Sequence, residues 1–204
     1  MIPQFFLDQR PHKGLTYEEY LSLMQQHSED PSIENFETIK LNQQRTSRIN
    51  KTYNVGQTLK NIIAKITSHQ LWMVITENWC GDSAQNLPYI AKIAACNPLI
   101  DLRILLRDQN LDIMDLYLTE GKSRSIPKLV IFDKDGNELI QWGPRPAAAQ
   151  ALVDKNKSEG KSKDDYMKDL HLWYGRNRGK DVEEEFLKII EKLVGVSATY
   201  SEKS

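Results

Sequence analysis

The sequence has 204 residues, of which 40% are apolar and 27% are charged, and its formal net charge is −1. This length suits one domain with extensions, or at most two small domains, and the composition is that of a folded globular protein rather than of a disordered chain. The near-balanced charge gives no reason to expect a nucleic acid or an anionic membrane as a partner.

The sequence shows no feature of a membrane or secretory protein. No apolar run approaches the roughly 18 residues that a membrane span needs. Residues 1–10 lack the basic segment and the apolar stretch of a signal peptide. Two cysteines in 204 residues fit a reducing compartment better than a disulfide scaffold. A cytoplasmic protein without a membrane partner is therefore expected.

Residues 1–54 predict a helical N-terminal extension that packs on the core. Thr16 and Glu19 have capping-box spacing, and apolar residues follow them at helical intervals. A second helix is indicated after Pro31. Its periodicity weakens from Asn42 to Tyr53, where a short edge strand is the alternative.

Residues 55–155 alternate helix and strand, which is typical of an α/β unit. A helix over about 83–96 follows the first strand, and Asp-Gly at 135–136 between apolar runs is a hairpin signal. Four strands are predicted, at Leu71–Thr76, Leu102–Leu106, Leu129–Phe132 and Glu138–Trp142. The expected fold class is therefore α/β.

Residues 156–204 predict a C-terminal helical extension. An amphipathic helix is indicated by Val182, Phe186, Ile189, Ile190 and Leu193, and its first turn is acidic, as the helix dipole favours. The Ser-, Glu- and Lys-rich end after Val196 is expected to fray.

Cys80 is the candidate chemical centre. It follows the first predicted strand and stands at the start of the helix over 83–96. The free N–H groups and the positive dipole end of a helix N-terminus stabilise a thiolate and lower the pKa of the thiol. Because the thiolate is the nucleophile, this placement favours a reactive cysteine. The alternative is a small buried cysteine that only packs.

Three motifs in chain order resemble the thioredoxin superfamily. Ile75–Ser83, with Trp-Cys-Gly-Asp-Ser, resembles the active-site segment in which thioredoxins carry Trp-Cys-Gly-Pro-Cys. Arg124–Phe132 resembles the segment in which a cis-proline opens a strand, and Gly143 stands where the family has a substrate-side glycine. The resemblance covers about residues 55–155. Trp-Cys-Gly-Asp-Ser together with Trp-Gly-Pro-Arg-Pro is similar to a bacterial group of thioredoxin-like proteins.

The resemblance implies a thioredoxin-like fold and a role for each matching position. The fold would be a central mixed sheet of about four strands flanked by helices, with helical extensions at both ends. Cys80 matches the attacking cysteine, Trp79 the indole that shields it, and Pro127 the cis-proline beside the thiol. The predicted catalytic residues are Cys80 and Ser83, and the predicted substrate-binding residues are Trp79, Gly81, Asp82, Ile126, Pro127, Trp142, Gly143 and Arg145.

The sequence departs from the thioredoxin pattern at three positions. Ser83 replaces the resolving cysteine, so an intramolecular disulfide cycle has no second thiol. Asp82 replaces a proline, and its carboxylate favours the helix start but opposes a nearby thiolate, so two effects compete. Val74 stands where thioredoxins bury an acid that assists proton transfer. Cys96 cannot serve as the resolving cysteine, because sixteen helical residues place it roughly 24 Å from Cys80. It is predicted to be a buried helix-end residue.

Arg145 lies between two prolines in the segment 142–146, which fixes the local chain and aims the side chain. Three functional roles are open. It offsets Asp82, stabilises the thiolate, or holds a carboxylate of a bound thiol such as glutathione. The alternative is an anchor for the next helix, paired with a surface acid.

Two functions from different classes fit these residues. In a monothiol redox protein, Cys80 attacks a protein or low-molecular-weight disulfide, and an external thiol resolves the mixed disulfide, with Ser83 donating a hydrogen bond to the thiolate. In a non-catalytic, chaperone-like protein, the groove around Trp79, Pro127 and Trp142 binds an extended peptide. No cofactor is expected, apart from glutathione or another low-molecular-weight thiol as co-substrate. The sequence leaves the oligomeric state open.

Other classes are not favoured. A peroxiredoxin would be expected to carry Thr or Ser three residues before its cysteine, where this sequence has Glu77. A cluster-binding monothiol glutaredoxin carries Cys-Gly-Phe-Ser, whereas here Asp82 replaces the aromatic residue. The histidines have no ligand spacing relative to the cysteines, so no metal site is expected. They are His12, His27, His69 and His171.

Overall fold

The computed structural model describes residues 2–195, so the expected fraying after Val196 falls outside the described residues. The strands are β1 (Gln70–Thr76), β2 (Ile100–Leu106), β3 (Lys128–Asp133) and β4 (Glu138–Trp142). They form a sheet in the order β2-β1-β3-β4, in which β1 pairs parallel with β2 and antiparallel with β3, and β3 pairs antiparallel with β4. The expected mixed four-stranded sheet is therefore confirmed.

Helices cover both faces of this sheet. Within residues 2–195 the α-helices are α1 (Gln4–Leu7), α2 (Tyr17–Glu29), α3 (Phe36–Thr52), α4 (Gln57–Ile63), α5 (Gly81–Ala94), α6 (Leu111–Met114), α7 (Ala147–Ser158), α8 (Lys163–Asn177) and α9 (Lys180–Leu193). The predicted capping box of Thr16 and Glu19 begins α2. Helix α3 continues to Thr52, so the alternative of an edge strand between Asn42 and Tyr53 is wrong. Within this part of the chain, no helix has both the length and the apolarity to cross a bilayer.

The side chains of β1 alternate between two apolar layers, as the pleat of a strand requires. Trp72 and Val74 face the larger layer, which also holds residues of α2, α3, α4, α5 and α9. Leu71, Met73 and Ile75 face a smaller layer with residues of α1 and α6. Because β1 is buried on both faces, the turn that follows it has a fixed position in the core.

Helix α3 packs along α5 and supplies a hydrogen bond that is missing because α5 contains a proline. Pro88 has no N–H to donate to the carbonyl of Ala84, and the hydroxyl of Thr46 in α3 donates to that carbonyl at 3.5 Å. The amide of Asn42 donates to the carbonyl of Asn78, in the turn after β1, at 3.0 Å. The N-terminal extension therefore contacts both α5 and the turn that precedes it.

The C-terminal helices pack on two different parts of the chain. Helix α8 lies against α7, and α9 lies against α4. Glu183 in the first turn of α9 accepts hydrogen bonds from the hydroxyl of Tyr53 at 2.7 Å and the backbone N–H of Gly56 at 3.0 Å. The domain boundaries at 54/55 and 155/156 stay predictions, and the second falls inside α7.

Candidate active site around Cys80

Cys80 is the N-cap residue of α5, and the buried end of β1 holds it there. The residue is half-buried, and its thiol donates to the backbone carbonyl of Ile126 at 3.3 Å. The peptide bond between Ile126 and Pro127 is cis, as the resemblance implied. The fold therefore places Cys80 beside Ile126 and Pro127, which follow it by 46 residues or more.

Gly143 packs directly on Pro127 from the end of β4. Its φ is +113°, a backbone region that favours glycine, and a Cβ built on it would lie 2.2 Å from the carbonyl oxygen of Pro127. The neighbouring Trp142 packs instead on Phe186, with 5.5 Å between ring centroids, and its indole N–H donates to Glu185 at 2.6 Å. These contacts of Trp142 are with α9, so a substrate contact by its indole stays a prediction that the packing does not favour.

Asp82 belongs to a buried polar network. The guanidinium of Arg145 lies 2.5 Å from one carboxylate oxygen of Asp82, and the hydroxyl of Tyr174 donates to the other oxygen at 2.7 Å. The side-chain amide of Asn86 donates to the hydroxyl oxygen of Tyr174 at 3.0 Å. Among the roles open for Arg145, the geometry shows the first: it offsets Asp82, and its partner is a buried acid.

The environment of Cys80 raises the pKa of its thiol. Burial is the largest cause, and the negative charge of Asp82 adds to it. Ser83 and the backbone N–H groups at the start of α5 act in the opposite direction but do not reverse the shift. The helix start does lower this pKa, as expected, but burial and Asp82 together exceed its effect, so the net shift of the thiol pKa is upward.

Ser83 lies in the core next to β1. It is 1% exposed, and its Oγ accepts a hydrogen bond from the hydroxyl of Thr76 at 2.6 Å.

Val74, two residues before Thr76 on the same strand face, is fully buried in the larger apolar layer. Glu77 is also buried, and its carboxylate accepts a hydrogen bond from the backbone N–H of Asp108 at 2.8 Å. Position 74, where thioredoxins bury an acid, is therefore apolar in this chain.

Both helical extensions reach the first residue of α5. A Cβ built on Gly81 would lie 3.0 Å from Cε1 of His171 in α8 and 3.7 Å from a guanidinium nitrogen of Arg45 in α3. Trp79 contacts a different cation, since the guanidinium of Arg107 lies 4.8 Å from its ring centroid. Helices outside the predicted domain 55–155 therefore form one wall of the Cys80 turn.

Sequence reasoning missed several residues of this site. Asn86 follows Asp82 by one helical turn, and that spacing is a signal for a contact on the same helix face. Tyr174 lies 92 residues from Asp82. No local pattern connects two residues so far apart.

Cys96 lies just beyond the end of α5, as predicted for a helix-end residue. It is half-buried, and its thiol donates to the carbonyl of Lys92 at 3.3 Å. Between residues 2 and 195, no group of three His, Cys, Asp or Glu side chains is arranged to hold a metal ion.

Comparison with known proteins supports this fold. A family model described as thioredoxin matches residues 31–159, more than half of the chain. A protein of unknown function from Pseudomonas aeruginosa is 17% identical, with a TM-score of 0.63 over 90% of this chain and 95% of that chain. An HIV epitope-scaffold protein is 20% identical, with a TM-score of 0.60 over 89% and 94% of the two chains. No functionally curated protein matches significantly.

The two similar structures support the fold alone, because their identities to this chain are low. The family match starts before residue 55 and includes α3, the helix that contacts α5 and Gly81. This match over more than half of the chain shows that the chain belongs to the thioredoxin family.

Proposed function

We propose that this chain is a monothiol redox protein in which Cys80 exchanges with disulfides. The observation that carries the proposal is the half-buried Cys80 at the start of α5, with its sulfur 3.3 Å from the carbonyl of Ile126 beside the cis bond to Pro127. An extended substrate paired with the Ile126 backbone would present its disulfide to Cys80. Since Ser83 carries no thiol, the reaction stops at the mixed disulfide until an external thiol arrives.

The exchange has two balanced steps when the substrate is a glutathionylated protein. The Cys80 thiolate attacks the glutathione sulfur, a new S–S bond forms, and the substrate cysteine leaves as a thiolate that takes a proton from solvent. A second glutathione thiolate then attacks the glutathione sulfur of the mixed disulfide and releases the Cys80 thiolate. The substrate thiol is thereby reduced, and glutathione disulfide is the oxidised product.

The raised pKa of the Cys80 thiol determines the rates to be expected. At neutral pH the thiolate fraction is small, so attack is slow and accelerates as the pH rises toward that pKa. A thiolate of high pKa is also a poor leaving group, so a mixed disulfide on Cys80 is resolved slowly. We therefore expect slow exchange, with a long-lived mixed disulfide between Cys80 and glutathione.

The same pKa shift favours one function from another class, a non-catalytic, chaperone-like protein. With Val74 apolar and the thiol mostly protonated, the surface at Ile126 and Pro127 would bind an extended peptide by backbone pairing without any covalent step. Binding by Cys80→Ala equal to that of the wild type, with no turnover by either, would support this alternative.

One experiment separates the two functions. Reduction of a glutathionylated test protein by external glutathione is measured for wild type, Cys96→Ser and Cys80→Ser, and trapped intermediates are identified by mass spectrometry. We expect turnover and a mixed disulfide for wild type and for the matched control Cys96→Ser, and neither for Cys80→Ser. Absence of a mixed disulfide in wild type, from neutral pH to above the thiol pKa, would reject the redox function.

We further infer that the chain belongs to the bacterial group of thioredoxin-like proteins with Trp-Cys-Gly-Asp-Ser and Trp-Gly-Pro-Arg-Pro, and that it acts in a reducing cytoplasm. The presence of both motifs supports the first inference, and two cysteines in 204 residues support the second. Asp82 of the first motif and Arg145 of the second form the buried ion pair. The two motifs therefore depend on each other physically.

A further inference from the structure

Three buried hydroxyl groups lie close to Cys80 on the α5 side of β1. Ser83, Thr76 and Tyr20 are each at most 1% exposed, and Thr76 donates to Ser83 at 2.6 Å. Tyr20 comes from α2, in the N-terminal extension, and its hydroxyl is buried without a hydrogen-bond partner. Thr76 and the thiol of Cys80 are among the groups that affect the pKa of this hydroxyl.

The hydrogen bond from Thr76 to Ser83 leaves the Ser83 hydroxyl able to donate to the sulfur. Because Thr76 gives its hydroxyl hydrogen to Ser83, the hydrogen of Ser83 is left for another acceptor, and Ser83 acts on the neighbouring Cys80 by favouring its thiolate. Burial raises the pKa of Tyr20 well above its ordinary value, so this phenol stays protonated and remains a donor. A buried hydroxyl without a partner costs free energy, which a bond to Thr76 would recover.

We propose that Tyr20, Thr76 and Ser83 form a chain of hydrogen-bond donors that ends on the Cys80 sulfur and stabilises its thiolate. Tyr20 is then a positioning residue supplied by the N-terminal extension. When Cys80 ionises, Ser83 donates to the sulfur, Thr76 to Ser83, and Tyr20 to Thr76. Each bond polarises the next one, so donation by Tyr20 strengthens the bond that Ser83 makes to the sulfur.

The proton balance of this step is simple. Cys80 loses its proton to solvent, since the residue is only half-buried, and the three hydroxyls keep theirs. Asp82 and Arg145, which pair with each other, both interact electrostatically with Cys80. The carboxylate of Glu77, three residues before Cys80, accepts from the backbone N–H of Asp108. Asp82 raises the pKa of the thiol, so the donor chain opposes Asp82. The proposal rests on the reactivity proposed for Cys80, but it concerns the thiol pKa, which is measured without any substrate.

The test is the titration of Cys80 in a Cys96→Ser background, followed by the ultraviolet absorbance of the thiolate and by alkylation rates across pH. We expect the thiolate fraction at neutral pH to fall about tenfold in Ser83→Ala and roughly threefold in Tyr20→Phe. Tyr17→Phe is the matched control, because Tyr17 lies on the same helix and its hydroxyl bonds to Asn50 at 3.1 Å. Its thiolate fraction should equal that of the parent.

Two results would overturn the proposal. One is an unchanged Cys80 pKa in a Tyr20→Phe variant that unfolds like the parent. If Tyr20→Phe does not fold, Thr76→Ser and Thr76→Val are compared instead. Thr76→Ser keeps the hydroxyl and should keep the parent pKa of Cys80, whereas Thr76→Val should raise that pKa. The same Cys80 pKa in both variants would be the second result that overturns the proposal. If the redox function is wrong but this proposal is right, the pKa shifts appear and no mixed disulfide forms.

Discussion

Arg145 and Asp82 form a buried ion pair across 63 residues of sequence, with 2.5 Å between a guanidinium nitrogen and a carboxylate oxygen. Their side chains are only 16% and 8% exposed. The pair joins the first turn of α5 to the segment between Gly143 and α7, and Gly143 in turn packs on Pro127. The position of Cys80 relative to the cis-proline therefore depends on this pair.

Replacing Arg145 with Met should lower the free energy of unfolding by about 3 kcal/mol, because Asp82 would stay buried without its cation. Chemical denaturation measures the loss. The matched control is Arg124→Met, which removes an exposed pair with Asp115 and should change the free energy of unfolding by less than about 1 kcal/mol. Similar small losses in both variants would contradict a desolvated pair.

Replacing Asp82 with Asn should lower the pKa of the Cys80 thiol. The charge of Asp82 raises that pKa, and the amide removes the charge while it keeps the shape of the side chain. Alkylation of Cys80 at neutral pH should therefore accelerate several-fold in the Cys96→Ser background. Asp115→Asn removes an exposed charge and should leave the rate unchanged. A slower reaction in Asp82→Asn would show that Asp82 acts mainly through the helix start.

The sequence predicts the strands and the cis bond at Pro127 well, because each depends on a short pattern or on a motif. The strands come within two residues of their predicted ends, since apolar runs bounded by turns determine them locally. The capping box at Thr16 is equally local. These features position the Cys80 turn, so the centre of the candidate site was predictable.

The electrostatics of the site were not predictable in the same way. The direction of the Cys80 pKa shift depends on burial, which sums contacts from many distant segments, whereas the helix-start rule uses only local geometry. Arg145 and Tyr174 reach Asp82 from 63 and 92 residues away, and Tyr20 approaches Cys80 from α2. Periodicity carries no information on such pairs.

Replacing Gly143 with Ala should destabilise the protein by about 3 kcal/mol or more. Its φ of +113° is strained for any residue with a Cβ, and that Cβ would collide with the Pro127 carbonyl at 2.2 Å. Gly160→Ala separates the two causes, because Gly160 also has positive φ, +75°, but open space around its Cβ position. It should cost only about 1 kcal/mol. Thermal and chemical unfolding of both variants check the difference, and equal losses would contradict a steric role for Pro127.

His171, whose ring lies over Gly81, should make the stability of the protein depend on pH. Burial lowers the pKa of His171 from 6.5 to about 4, and the nearby Arg45 adds to the shift. Below pH 6.5 the unfolded chain binds a proton at this position that the folded chain does not bind until about pH 4. The unfolded state thus holds more protons in this window, so the free energy of unfolding falls as the pH decreases from 6.5 to 4.

The His171→Gln variant should lose this part of the pH dependence, because glutamine does not titrate. We expect the fall between pH 6.5 and 4 to shrink by about 1 to 2 kcal/mol, once solvent screening at this half-buried ring is allowed for. Urea unfolding at several pH values in this range measures it. His69→Gln is the control, since His69 is exposed and its replacement should keep the wild-type slope. If His171→Gln and wild type lose stability in parallel over this range, His171 titrates alike in the folded and unfolded chains, and its ring is solvated rather than enclosed between α3 and α5.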